Sequence, residues 1–295
     1  MKTLKERKEA RTALLFVAPF LVVFAVFNIY PEIYGFVLSF LDRNTAAKFR
    51  SNTFVGLRNY RNVLSNSMLL ESVRHSLVFS IIYVVFMMVL SMCLALVLNK
   101  KFKGRGVVRT MIYMPYVTNI IAIGIVWKYL LNPYKGPINR ILMFLGWPES
   151  SLPKWLTGLA SALPTTAMVS IWAALAFPVI VLLAALQGIP EELIEVSKIE
   201  GATKWQQFWH ITLPLIMPTF SFLFTLVVID SFKTFTIISA LTNGGPGTAT
   251  NVMSYQLYTD AFVHMKLSYG AAEGIIMATG IMVITLILRS FKKKG

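Results

Sequence analysis

The stretch Ser76-Leu-Val-Phe-Ser-Ile-Ile-Tyr-Val-Val-Phe-Met-Met-Val-Leu-Ser-Met-Cys-Leu-Ala-Leu-Val-Leu98 decides the fold. It carries no charge, and an α-helix rising about 1.5 Å per residue needs about 20 such residues to cross a hydrocarbon layer about 30 Å thick. Comparable uncharged runs extend from Thr12 to Pro31, Thr110 to Trp127 and Trp155 to Pro190, with Pro164 marking the helix start in the last. A fifth begins near Leu213, stays uncharged to Ile229 and continues through Asp230 and Lys233 toward Leu241. A sixth, Gly274 to Leu288, reaches spanning length only if Glu273 lies inside or at the edge of the membrane. The reading is an all-α membrane protein with six transmembrane helices.

Composition agrees: 56% of residues are hydrophobic and 14% charged, against roughly 25% charged in soluble domains. The formal charge of +15 sits in short clusters between apolar runs, the pattern of membrane orientation and not of nucleic-acid binding. Cys93 is the single cysteine, which excludes an intrachain disulfide and a cysteine-rich metal site. His75, His210 and His264 are scattered without metal-ligand spacing, and no paired carboxylates or nucleophile–base set points to catalysis.

Lys and Arg resist translocation and collect on the cytoplasmic side. They cluster at the N-terminus (Lys2, Lys5, Arg7, Lys8, Arg11), between spans two and three (Lys100, Lys101, Lys103, Arg105, Arg109) and in the tail (Arg289, Lys292, Lys293, Lys294). With six spans these fall on one side, so both termini are expected in the cytoplasm. Arg43, Lys48, Arg50, Arg58 and Arg61 in the first external loop run against the rule locally. Residues 1–11 are read as a cytoplasmic basic N-terminus, retained and not cleaved, because the apolar run is too long for a signal peptide and no small-residue cleavage site precedes Tyr30 and Pro31. Residues 12–291 are read as one six-span domain.

Between spans four and five, Ile189-Pro-Glu-Glu-Leu-Ile-Glu-Val-Ser-Lys-Ile-Glu-Gly201 predicts a short helix. Pro190 suits its first position, Glu191 and Glu192 favour the positive end of the helix dipole, and Gly201 suits a left-handed stop. Ile189, Leu193, Val196 and Ile199 fall within one arc. A second turn starts at Thr203, with Gln206 completing a capping box and Trp205, Phe208 and Trp209 at helical spacing.

The segment Glu195-Val-Ser-Lys-Ile-Glu-Gly-Ala202 with Ile211-Thr-Leu-Pro214 resembles the EAA loop of binding-protein-dependent ABC transporter permeases. Val196 and Ser197 stand where that motif has two alanines. Tyr30-Pro31 with Leu38-Ser-Phe40, Val55-Gly-Leu-Arg-Asn-Tyr60, Pro115-Tyr116, Asn132-Pro133 with Gly136-Pro-Ile-Asn139, and Leu241-Thr-Asn-Gly-Gly-Pro246 are similar to the carbohydrate branch, the maltose-type first permease subunit. The resemblance implies the ABC importer type I permease fold, with a coupling helix in a cytoplasmic loop (residues 189–212) seated on a separate ATPase dimer. It further implies a homologous second permease subunit, an extracellular solute-binding protein that delivers a sugar, expected to be an oligosaccharide, and surrounding lipid. ATP and Mg would be bound by the ATPase, with no cofactor in this chain; the chain also lacks a G-x-x-x-x-G-K-[ST] phosphate loop. Glu192, Leu193, Glu195, Val196, Gly201 and Ala202 are the expected coupling residues.

Candidates for the substrate pathway are Asn119, Trp172, Phe177, Asp230, Lys233, Asn243 and Glu273, because sugars are held by hydrogen bonds and aromatic faces. Asp230 and Lys233 stand three apart and share a helix face, while Lys233 also has the reach to snorkel to the outer surface. A secondary transporter or channel for a small polar solute is the alternative, but such a protein has no need of an amphipathic loop outside the membrane.

Overall fold

A computed structural model describes residues 4–43 and 53–292. Lys2, Lys48, Arg50, Lys293 and Lys294, used above for orientation, lie outside the described residues. In chain order the helices are α1 (Leu4–Phe24), α2 (Tyr30–Leu38), α3 (Arg58–Leu64), α4 (Ser67–Asn99), α5 (Arg105–Val117), α6 (Ile120–Leu130), α7 (Pro137–Phe144), α8 (Ala162–Ala174) and α9 (Ala176–Gln187). Then come α10 (Glu191–Ile199), α11 (Lys204–Gln207), α12 (Leu213–Phe232), α13 (Thr236–Leu241), α14 (Met253–Tyr258) and α15 (Leu267–Lys292). Strands β1 (Leu41–Asp42) and β2 (Thr53–Phe54) form a two-residue antiparallel ladder, with Leu41 opposite Phe54, so the all-α reading needs this small correction.

Among the described residues, four continuous helical stretches are long and apolar enough to cross a membrane: Thr12–Leu38, Ser67–Asn99, Lys204–Phe232 and Leu267–Leu288. Two helix pairs pass the same test but are bent, α5 with α6 by 104° and α8 with α9 by 50°. The bends have local causes. Pro178 has no N–H to give the carbonyl four residues back, at Ala174, which is where α8 ends. Between α5 and α6, Thr118 is extended and Asn119 caps α6, its side chain accepting from the N–H of Ile121 at 2.9 Å and of Ala122 at 3.4 Å.

Other prolines are absorbed. Pro31 and Pro214 were expected to stand at a span's end and near a span's start, yet helix runs through both. A π-helical turn precedes each, over Ala25–Ile29 and Phe208–Thr212, closed by Tyr30 N–H to Ala25 O and Leu213 N–H to Phe208 O. The wider turn spares the missing N–H and makes room for the ring. The first and fifth spans are therefore longer than the uncharged runs that flag them; the fifth starts at Lys204, inside the loop element, and stops at Phe232 short of the expected Leu241, because Lys233 caps α12 and Thr236–Leu241 forms a separate helix.

The chain groups into two compact units, Met1–Asn66 with Leu257–Ala278, and Ser67–Gln256 with Thr279–Gly295. In the first, Asn59 Nδ2 donates to the carbonyls of Ser39 (2.8 Å) and Leu41 (2.9 Å), and the Ser39 and Tyr60 hydroxyls lie 2.6 Å apart. These contacts hold the end of α2 against α3 and bring β1 to β2. Asn66 Nδ2 donates to the Tyr269 hydroxyl at 2.8 Å, and Ser268 Oγ accepts from the Arg43 N–H at 3.0 Å.

In the second unit α4 is packed on α8, α9 and α12. Phe79, Met87, Ala95 and Leu98 are fully buried on α4, facing Val179 and Leu182 of α9 and Leu223 of α12. Because lipid is as apolar as these side chains, burial alone gives little drive for helix association, and close packing plus buried hydroxyls supply it instead. Ser80 and Ser231 are joined at 2.8 Å between α4 and α12, Ser76 Oγ accepts from the Met253 N–H at 2.7 Å, and Thr166 and Ser170 bond back to their own helix. Gly124 of α6 meets Ala240 of α13 so closely that a Cβ there would lie 2.4 Å from the Ala240 Cβ.

Candidate functional site

The loop element is built as its residues require. Gly201 adopts φ +77° and nothing lies within 4 Å of where its Cβ would be, so backbone conformation alone demands glycine. Its N–H donates to Lys198 O at 3.1 Å and the Ala202 N–H to Ser197 O at 2.9 Å, the paired bonds of a Schellman stop. Two residues on, Thr203 and Gln206 form the capping box expected for α11. The indoles of Trp205 and Trp209 meet edge to face at 5.6 Å, and Phe208 joins them while packing on the core. Through the π turn this aromatic cluster runs without interruption into α12.

Helix α10 is exposed on both its apolar and its charged sides, with Ser197 its one buried residue. Three residues of the apolar arc face away from the chain's own core, Leu193 at 44% exposed, Val196 at 53% and Ile199 at 86%, whereas Ile189, expected in the same arc, lies before the helix and packs on the core. The opposite face, Glu191, Ile194, Glu195 and Lys198 at steps of three, one and three, lines a cavity of about 530 Å³ with Lys101, Arg105 and the ends of α4 and α9. Of the expected coupling residues, Leu193 and Val196 are on the outward arc, Glu192 is exposed, and Gly201 and Ala202 form the stop. Glu195 is on the cavity side.

A second cavity region lies among α4, α5, α8, α9 and α12, with adjoining volumes of about 280 and 330 Å³ that share Tyr83, Tyr116, Ala174, Asp230 and Lys233. Tyr83 OH donates to Asp230 Oδ2 at 2.8 Å. The rings of Tyr116 and Phe177 stack with centroids 6.4 Å apart, and Phe235 lines the same wall. Lys233 caps α12 and is exposed to the cavity; of the two readings of its place beside Asp230, pairing or reach to the surface, no ion pair joins the two and Asp230 accepts from Tyr83 instead.

Phe177, Asp230 and Lys233 are thus brought together, and the other pathway candidates stand elsewhere. Asn119 is the α6 cap, and Trp172 meets Trp127 edge to face at 5.4 Å. Asn243 holds φ +49° in the turn that Thr242, Thr250 and Gly245 close through hydroxyl bonds. Glu273, in the first unit, has 0% exposure, which rules out a solvated outer-end carboxylate. In that same unit Asp260 accepts from His264 Nδ1 at 3.0 Å, with Lys266 Nζ at 3.9 Å. Sequence reasoning missed Tyr83, Tyr116 and Phe235; Tyr83 sits in a long apolar run where only its hydroxyl sets it apart. Among the described residues no group of three His, Cys, Asp or Glu side chains is placed to hold a metal ion.

A multi-pass helical bundle with an aromatic and charged cavity, and an outward-facing apolar helix on a loop, defines a membrane transport subunit. Residues 87–294 match the family described as the binding-protein-dependent transport system inner membrane component, and the chain belongs to that family of permeases. The sn-glycerol-3-phosphate transport system permease protein UgpA of Agrobacterium fabrum is 34% identical over 279 residues, covering 94% of this chain and 92% of that relative. The trehalose/maltose transport system permease protein MalF of Thermococcus litoralis is 35% identical over 279 residues with the same coverage, 94% and 92%. A chain in the crystal structure of a bacterial ABC transporter involved in the import of the acidic polysaccharide alginate shares the fold, with TM-score 0.85, 25% identity and 98% of each chain covered.

Proposed function

We propose that this chain is the permease subunit of an ATP-driven importer that moves a carbohydrate, an oligosaccharide by class, handed over by an extracellular binding protein. The observation that carries this reading is the exposed apolar arc of α10. An exposed apolar arc on a helix closed by a Schellman stop, with the capped α11 directly after it, is the form of a docking element, and the occupant it fits is a groove on a cytoplasmic ATPase. Continuity from α11 into α12 gives movement at that seat a stiff path to the cavity wall at Asp230.

In this reading each bent pair counts as one span, giving six, with both termini and residues 189–212 in the cytoplasm. A homologous second permease completes the pathway over an ATPase dimer that binds ATP and Mg. Glu192, Leu193, Val196, Gly201 and Ala202 serve the docking helix, and Phe177, Asp230 and Lys233 serve the pathway, joined by Tyr83 and Tyr116. Aromatic faces beside a carboxylate and an ammonium suit a polyhydroxylated cargo. The named cargo of one relative, trehalose/maltose, supports the sugar class.

The test is co-expression with the second permease, the ATPase and the binding protein of the same transport system, followed by ATP hydrolysis in proteoliposomes against a panel of oligosaccharides. Stimulation by a sugar-loaded binding protein is the expected result. Solute movement by the chain alone in liposomes would overturn the reading.

A further inference from the structure

The side of α10 away from the apolar arc lines an open cavity with the end of α4 and the start of α5, its charged groups Glu191, Glu195 and Lys198 exposed there. Glu191 and Glu195 stand one turn apart on that side, so their carboxylates form a short acidic stripe. Across the same cavity Lys101 and Arg105 form a basic edge, with Arg109 one turn further along α5. The Arg105 Nε and Nη2 atoms are sealed from solvent yet have no hydrogen-bond partner among the described residues, and the Arg109 Nε is in the same state. No ion pair among the described residues joins the two stripes.

A guanidinium nitrogen withdrawn from water without a partner is costly, so a state in which it finds one is favoured. Two complementary stripes facing each other across open space supply such a state. Lys198 lies on the acidic helix itself and weakens the stripe at one end, which leaves Glu191 and Glu195 as the groups that answer Arg105.

We propose that Arg105 is a positioning residue: it closes onto Glu191 and Glu195 as an ionic latch that ties α10 to the start of α5 in one state of the transport cycle and is open in the state described here. The latch rests on the docking role of α10 given above, and it would make α5, as well as α12, a path by which movement at the docking helix reaches the membrane.

The test is cross-linking in the full chain in proteoliposomes, with Asn99→Cys and Ile194→Cys, both lining the cavity, in a Cys93→Ser background. Arg105→Glu should slow cross-linking on the order of tenfold, within the usual range for coupling between sites. Adding Glu191→Arg and Glu195→Arg should restore the rate, Arg105→Lys should fall between, and high salt should narrow all the differences. Equal rates across the set, or a charge-swapped chain no faster than Arg105→Glu, would overturn the latch.

The same variants in the assembled complex, read as sugar moved per ATP hydrolysed, separate the two claims. Charge-swap rescue of cross-linking in a complex that imports nothing would sink the functional reading and leave the latch standing. Import by the wild type with no rescue in either assay would sink the latch alone.

Discussion

Tyr83 on α4 and Asp230 near the end of α12 are joined by a 2.8 Å hydrogen bond from the phenol to Oδ2, and both residues line the cavity assigned to the pathway. The bond fixes which way the carboxylate points. It also leaves Lys233, three residues on, free of the pairing that spacing alone would give it. A hydrogen bond to a charged group contributes roughly 1.5 to 3 kcal/mol, but here the cavity admits water to the carboxylate. Tyr83→Phe should therefore cost about 1 kcal/mol of stability and slow sugar uptake by about tenfold, with assembly intact. Asp230→Ala should impair uptake at least as strongly. Unchanged uptake kinetics in both variants would remove the pair from the pathway.

The outward arc of α10 makes a prediction with opposite signs for folding and for partnership. Val196 and Ile199 are exposed, so the pair Val196→Asp and Ile199→Asp removes little internal packing and should leave the thermal stability of the isolated chain nearly unchanged. At a docking surface, such anchors are worth about 2 kcal/mol or more, about 30-fold in affinity. Titrating purified ATPase against wild-type and variant chains checks this, and equal affinities would mean that the arc faces something else.

At Gly201 the requirement is conformational. A side chain at φ +77° costs roughly 1 to 2 kcal/mol, so Gly201→Ala should loosen the stop and raise amide exchange across residues 191–203 by about five- to 30-fold. Gly201→Asn should do so less, because asparagine tolerates the left-handed region better. Identical exchange in wild type and both variants would show that the Schellman bonds contribute nothing to holding α10.

The spans were legible because uncharged length is a strong signal, and so were the stops of the loop element, since Gly201, Thr203 and Gln206 act locally. The bend before α6 was not. Asn119 is a polar residue in an apolar run, which looks like a ligand for sugar until the backbone shows it accepting bonds from Ile121 and Ala122. Val55 to Tyr60 and Leu38 to Phe40 were each recognisable as family segments, but nothing local says that Asn59 and Tyr60 fasten the residues after α2. Spacing grouped Leu193, Val196 and Ile199 correctly but added Ile189, which packs on the core, and which side the arc faces is set by the tertiary environment, as is the presence of Glu195 and Arg105 on one cavity. Tyr83 escaped notice for the same reason: its function comes from a partner on another helix.

Packing of α6 on α13 gives a last test, free of any transport assay. A methyl added at Gly124 would have to sit 2.4 Å from the Ala240 Cβ, far inside van der Waals contact, with the Ala240 backbone next at 3.5 Å. Overpacking of this kind typically costs 1 to 3 kcal/mol, and in a membrane close approach at small residues is a main source of helix association. Gly124→Ala should lower the thermal stability of the purified chain, and Ala240→Gly alone should lower it less. Because the clash is between two methyl groups, the combined variant should recover most of the loss, with a coupling of about 1 kcal/mol or more between the sites. Strictly additive effects would mean that the two helices yield independently and that this contact does not hold them together.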